Sequence, residues 1–411
     1  MPNLLRDDPH VARIIRDEES RVENTLDLIA AENHAPRSVL EAQGSIFSLK
    51  AAEGFPGNRF HAGCRHADEL ESLAISRAED LYGADHANVQ PHSGVSANLA
   101  VYFSVLDVGD RILSMKLSHG GHLSHGDAAS MTSRCFDFQH YGLNLKTEQI
   151  DYDELENLAR EFGPRMIVAG ASSYPRLIDY ERVAEIAHSV SALLLVDMAH
   201  IAGLVAAKVI PSPVPHADFV TFTTYKTLRA GRGGVILCKQ KYADRINRSI
   251  FPGGQGTPSL NLIAAKAVCF HLAKADDFVG LQKETLKNAG CFAAEFERLG
   301  YRIVSGGTEN HLVLIDLRSK GLTGALAEEI LESVGIVVNR NVIPADPERP
   351  EVSSGIRIGS PAITSRGMQD PEVRQIARMM DTALSNDENK RVHIQVAQQV
   401  RDLCKQFPIK Y

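Results

Sequence analysis

The chain has 411 residues, more than one hydrophobic core usually serves, so two or three domains are expected. Apolar residues make up 44% and charged residues 23%, the ordinary balance of a globular enzyme. A net charge of −7 with a sequence pI near 6.2 argues against a basic surface for nucleic acid or anionic membranes, leaving a small molecule as the expected partner.

The opening residues, MetProAsnLeuLeuArgAspAspProHis, lack the apolar run of a secretory signal. No stretch approaches the roughly 18 apolar residues of a membrane span, so a cytoplasmic location is expected. The six cysteines, Cys64, Cys135, Cys238, Cys269, Cys291 and Cys404, have no metal-ligand spacing. They are expected to be reduced thiols.

Residues 6–30 read as one charged amphipathic helix, with Ile14, Ile15, Val22, Leu26 and Ile29 at helical spacing. Such an arm suits packing on a partner subunit. Residues 48–64, rich in glycine, predict an irregular segment. From 68 to 280, helical stretches at 68–83, 93–106 and 181–190 alternate with apolar runs at 111–114, 166–170, 192–196, 217–222 and 234–238. The alternation predicts a three-layer α/β domain with a largely parallel sheet. A helical region at 259–299 leads to strands at 301–304, 311–316 and 335–338. The expected division is an arm at 1–67, a large α/β domain at 68–280 and a small α+β domain at 281–411.

The run AlaLeuLeuLeuValAspMetAlaHis at 192–200 resembles a buried parallel strand that delivers Asp197 and His200 to its C-terminal end. The next β-rich run, at 217–224, brings Lys226 to the same edge, where open α/β sheets bind ligands. An amine for a Schiff base and a carboxylate for a pyridine nitrogen are what pyridoxal 5'-phosphate (PLP) requires. A helix-capping Asp197 and a solvated Lys226 would give the same residues without function. HisSerGlyValSerAlaAsn at 92–98 offers Ser93, Gly94 and the amides of Val95 and Ser96 as an anion cradle at a helix start, or merely a routine N-cap. PheProGlyGlyGlnGlyThrPro at 251–258 offers further amides or a tight turn. Among the three histidines of 118–126, His122 is read as a flat ring over the cofactor and His119 and His125 as loop residues, with no metal site. Arg357, in a short β-like run, suits an amino-acid carboxylate or a surface ion pair.

These blocks carry a resemblance. The chain is similar to serine hydroxymethyltransferases, PLP-dependent transferases of the aspartate-aminotransferase-like fold (fold type I). The resemblance rests on LeuIleAlaAlaGluAsn (28–33), AlaGluGlyPheProGly (52–57), AlaAsnValGlnProHisSerGly (87–94), SerHisGlyGlyHisLeuSerHisGly (118–126), ValAspMetAlaHisIleAlaGlyLeuValAlaAla, LysThrLeuArgAlaGlyArgGlyGly, PheProGlyGlyGlnGly, SerGlyGlyThrGluAsnHis and SerGlyIleArgIleGlySerProAlaIleThr. It implies Lys226 as the Schiff-base lysine, Asp197 on the pyridine nitrogen and His122 on the ring. It further implies Ser172 and His200 near the cofactor oxygen, and Ser93, Gly94 and Val95 at the phosphate. Gly256 and Thr257 would join the phosphate from a neighbouring subunit. Arg357 would take the substrate carboxylate, and Glu53 of the neighbouring subunit would handle protons. Leu117, Gly121, Leu123 and Asn341 match folate-contact positions, with tetrahydrofolate as cosubstrate. The active unit would be a homodimer, with a tetramer as the larger alternative.

Four departures surround the expected substrate. The family's usual serine is Ala31, its tyrosine before AlaGluGly is Ala51, its TyrTyr pair is Phe60-His61, and the histidine before the lysine is Tyr225. Ala31 removes a hydroxyl, and Ala51 opens the volume of an aromatic ring. His61 replaces a phenol of pKa about 10 with a group titrating near about 6.5. Tyr225 adds a phenol beside Lys226. Serine or 2-methylserine is therefore the expected substrate, with tetrahydrofolate as acceptor. Glu351, where an aromatic is common, and His61 weigh against the folate step. A folate-independent aldolase or transaldolase on threonine-like amino acids is the alternative, and a non-catalytic scaffold the remote one.

Overall fold

The computed structural model describes residues 2–410, so Met1 and Tyr411, the outermost residues of the expected arm and the expected small domain, lie outside it. Its centre is a seven-stranded sheet of β1 (His86–Asn88), β2 (Arg111–Met115), β3 (Asp137–Tyr141), β4 (Met166–Ala169), β5 (Leu193–Asp197), β6 (Phe219–Thr223) and β7 (Gly234–Cys238). The spatial order is β1-β7-β6-β5-β4-β2-β3. Pairing is parallel from β6 through β3 and antiparallel on both sides of β7, so β7 alone runs against the rest.

Alternation along β5 explains the layering. Leu194 and Val196 join the core formed with the helix Arg65–Tyr82, whereas Leu195 joins the opposite core with the helix Gly94–Val105. A strand apolar on both faces must lie between two helical layers, which is why its sequence is a continuous apolar run. Asp197, in phase with Leu195, turns toward the second of those helices.

A smaller four-stranded antiparallel sheet joins β8 (Arg302–Ile303), β9 (Leu312–Asp316), β10 (Asn339–Asn341) and β11 (Gly355–Gly359) in the order β8-β9-β11-β10. Its core includes Leu26 and Leu28 from the N-terminal arm. The arm corrects the single-helix expectation: helices Pro2–Asp7 and Pro9–Asn24 are followed by a short strand, Leu26–Asp27, paired in parallel with Ile336–Val337. Pro9 has no amide hydrogen to continue a helix and opens a new one, with Asp8 as its N-cap. Arg366, 2% exposed, donates to the carbonyls of Glu23, Thr25, Cys404 and Phe407, fastening the arm to the last helix. The helical region 259–299 is likewise two helices, Leu260–Leu272 and Asp276–Arg298.

Candidate active site

The C-terminal ends of β5 and β6 lie side by side, with Asp197 in register with Thr221, so Lys226 emerges three residues beyond β6 at the edge that carries Asp197. Between them opens a cleft lined by Ser93, Gly94, His122, Asp197, Lys226 and eleven other residues. Val95, Ser172, His200 and Tyr225 are among those eleven.

Asp197 is the best-held group in the cleft. Its Oδ2 accepts from Asn98 Nδ2 at 2.8 Å and faces His125 Nε2 at 3.1 Å, while Oδ1 accepts from the amide of Ala199. Asn98 is fixed in turn by Thr221 Oγ1 at 2.6 Å. Burial alone would raise the carboxyl pKa, but the hydrogen bonds from His125 and Asn98, with the charge of His125, hold it well below the usual range. His125, expected from sequence as an ordinary loop residue, is only 1% exposed and belongs to this set.

Lys226 is 7% exposed, and burial is the main reason its pKa falls to about 8. The charges of Arg357 and Arg232 push it the same way, against the pull of Asp197. Its loop is fixed by Thr227, which donates to His200 O and accepts from Gly203 N, and by Asn33, which donates to Lys226 O. His122 is held by Ser124, whose amide donates to Nδ1, so that nitrogen carries no hydrogen. Burial lowers the His122 pKa to about 4 and drives that of His200 well below its ordinary value, so both rings are neutral at pH 7. His122, His125 and Asp197 hold potential metal-ligand atoms within 4.8 Å of one another. The hydrogen bonds just given already engage Asp197 Oδ2 with Asn98 and His125, and His122 Nδ1 with Ser124.

Ser93 caps the helix Gly94–Val105 by a reciprocal pair: Ser93 Oγ accepts from Ser96 N, and Ser96 Oγ accepts from Ser93 N. The amide of Ser96, expected to help hold an anion, is thereby used. Those of Gly94 and Val95, at the first two helical positions, face outward at the positive end of the helix. Gly94 is required here, because a Cβ would come within 2.6 Å of Thr223 Cγ2. Thr223 Oγ1 is buried beside this cradle without a hydrogen-bond partner. Gln255 closes the loop behind it, its Oε1 accepting from His92 N and its Nε2 donating to Gln90 O.

Arg357 sits on β11 opposite Leu314 and Asn339. Its Nη1 donates to Ser172 O at 2.7 Å and its Nε to Asn339 Oδ1 at 3.1 Å, and burial lowers its pKa to about 10. Ser172 therefore joins Arg357 to the cleft wall.

Several expected residues do not line this cleft. Glu53 lies beside Gly256, where a Cβ would stand 3.4 Å from its Oε1, and Thr257 follows in the same turn. His61 and Ala51 are exposed. Ala31 sits in a turn next to Ala30, whose carbonyl faces His311 Nε2 at 3.1 Å. Leu117 and Leu123 are exposed on two short helical turns flanking His122, and Gly121 is buried between them. Asn341 ends β10 and donates to Val342 O. Conversely, the sequence reading missed Asn98, His125, Thr223 and Arg232. The Arg232 guanidinium lies over the Tyr225 ring at 4.4 Å, and the glycines around Arg232 in the block after Lys226 were the available signal.

The cleft thus offers one matching group for each part of PLP. Two free amides and an unpartnered hydroxyl suit its phosphate, an ionised carboxylate its pyridinium and a weakly basic amine its aldehyde. A family model described as serine hydroxymethyltransferase matches residues 4–380. With that match spanning nearly the whole chain, and with a mixed α/β sheet between helical layers, the chain belongs to the serine hydroxymethyltransferase family, PLP-dependent enzymes of fold type I that use tetrahydrofolate as cosubstrate.

Proposed function

We propose that this chain cleaves the Cα–Cβ bond of serine or 2-methylserine and passes the one-carbon unit to tetrahydrofolate, in the cytoplasm and as a homodimer. The observation that carries the reading is Asp197, ionised and fixed by Asn98 and His125 beside Lys226. When bound, PLP supplies an electron sink for the pair of electrons left at Cα.

The chain's own residues supply the rest. Lys226, with its lowered pKa, is available as a neutral amine near pH 8. Asp197 would keep a proton on the pyridine nitrogen through its negative charge. His122, a neutral ring held by Ser124, would exclude water from one face of the bound cofactor. Arg357, anchored by Ser172 and Asn339, takes the substrate carboxylate and orients the Cα–Cβ bond.

Glu53 and Gly256, neighbours of each other and absent from the cleft of their own chain, serve the partner's site in this reading, with His61 and Thr257 beside them. Exposed Phe60, Phe103 and Met131 support such a subunit contact. Exposed Leu117 and Leu123 support a flat pterin ring held near Gly121 and Asn341. Ala51, exposed on its own chain close to Glu53, would leave the volume of an aromatic ring for a larger α-substituent at the partner's site. Among the described residues no helix is long and apolar enough to cross a membrane.

The test is turnover of serine, 2-methylserine and allo-threonine, each with and without tetrahydrofolate. The proposal expects folate-dependent cleavage of 2-methylserine. Rapid folate-dependent turnover of serine alone overturns the altered substrate, and folate-independent cleavage of allo-threonine alone replaces the reaction with that of an aldolase.

A further inference from the structure

Lys266, on the helix Leu260–Leu272, is 2% exposed and has no carboxylate within hydrogen-bond distance. Its Nζ instead donates to Val89 O at 2.7 Å, Gly234 O at 2.8 Å and Pro91 O at 3.2 Å. Three acceptors match the three N–H bonds of an ammonium, whereas a neutral amine has two. The acceptors flank the loop that leads from β1 to Ser93 and the start of β7.

This arrangement fixes the loop's direction. The Pro91 carbonyl is drawn inward by Lys266 and by the Gly234 amide. Because the C=O and N–H of one peptide unit point oppositely, His92 N is turned the other way, where it meets Gln255 Oε1. Gly233, which lines the cleft, rests on the lysine stem: a Cβ there would lie 2.4 Å from Lys266 Cε. Gly234 packs equally closely on Ser93, with a Cβ position 2.2 Å from its carbonyl oxygen.

We propose that Lys266 is a positioning residue for the cofactor phosphate, setting the 89–94 loop from behind and lending it a buried positive charge. The proposal rests on the reading that the PLP phosphate lies on the Gly94 and Val95 amides. Burial lowers the Lys266 pKa to about 7, opposed by the charge of Glu71 on the facing helix Arg65–Tyr82. His92 on the loop is the other titratable group coupled to it.

The experiment compares the affinity of the apoprotein for PLP with that for pyridoxal, which lacks the phosphate, by fluorescence titration. Lys266→Met is expected to lower the PLP-to-pyridoxal affinity ratio about tenfold, the scale of one partly screened charge. A role in folding alone would weaken both ligands together or neither, and an unchanged ratio overturns the proposal. If Lys266→Met does not fold, Lys266→Gln keeps amide donors, drops the charge and is read in the same way. A wild type that binds PLP no better than pyridoxal overturns the phosphate site itself, a different result from an unchanged variant.

Discussion

Lys226 and Asp197 are both buried, yet their surroundings move them in ways that suit opposite tasks. Burial dominates at Lys226 and lowers its pKa to about 8, so the apoprotein amine gains reactivity as pH rises through that value. Trapping with PLP and cyanoborohydride, mapped by mass spectrometry, should label Lys226 half-maximally near pH 8, about two units below an ordinary lysine. Labelling that rises only above pH 10 contradicts the account. At Asp197 the hydrogen bonds and the His125 charge together outweigh burial, and Asp197→Asn should lower kcat about 100-fold or more, because the amide cannot hold a pyridinium proton electrostatically. His125→Gln should show the same direction with a smaller loss. The sequence made Asp197, Lys226 and His122 legible because strand ends and the 118–126 block mark them. His125 was not, because nothing in its neighbours shows that the turn folds it inward onto Asp197 from 72 residues away.

At the scale of elements, contact between β6 and the helix Gly94–Val105 decides the phosphate cradle. Gly94→Ala would drive a methyl group against Thr223 Cγ2, destabilising the protein by about 1–3 kcal/mol and weakening PLP binding. Urea unfolding and cofactor titration measure the two effects separately, and an alanine variant of wild-type stability would mean that the helix shifts freely. The central strands were legible as apolar runs because both their faces are covered. β3, AspPheGlnHisTyr, was not, because an edge strand needs to be apolar on one side only. The split of 259–299 also escaped the periodicity, since AlaLysAla at 273–275 interrupts the helix without a proline or glycine.

At the scale of the molecule, the N-terminal arm is part of the C-terminal core, and Arg366 joins them through four backbone carbonyls. Arg366→Met leaves those carbonyls without their donor and should cost about 3 kcal/mol or more, seen as a lower urea midpoint for the small sheet. The sequence could not show this join, because its partners lie at opposite ends of the chain. In the proposed dimer each site takes Lys226 from one chain and Glu53 from the other. Mixing Lys226→Ala with Glu53→Gln subunits through a dissociating step should therefore restore about a quarter of wild-type activity, since half the dimers are hybrids with one intact site. No recovery would mean that both residues serve the same chain's site. Gln255 constrains any attempt to redesign this enzyme. Its carboxamide must accept from His92 and donate to Gln90 at once, a pairing that aspartate, glutamate and the hydrophobic residues cannot reproduce, and asparagine falls one methylene short. Libraries that vary the 251–258 turn to change substrate scope should hold residue 255 fixed, or they will alter cofactor retention along with specificity.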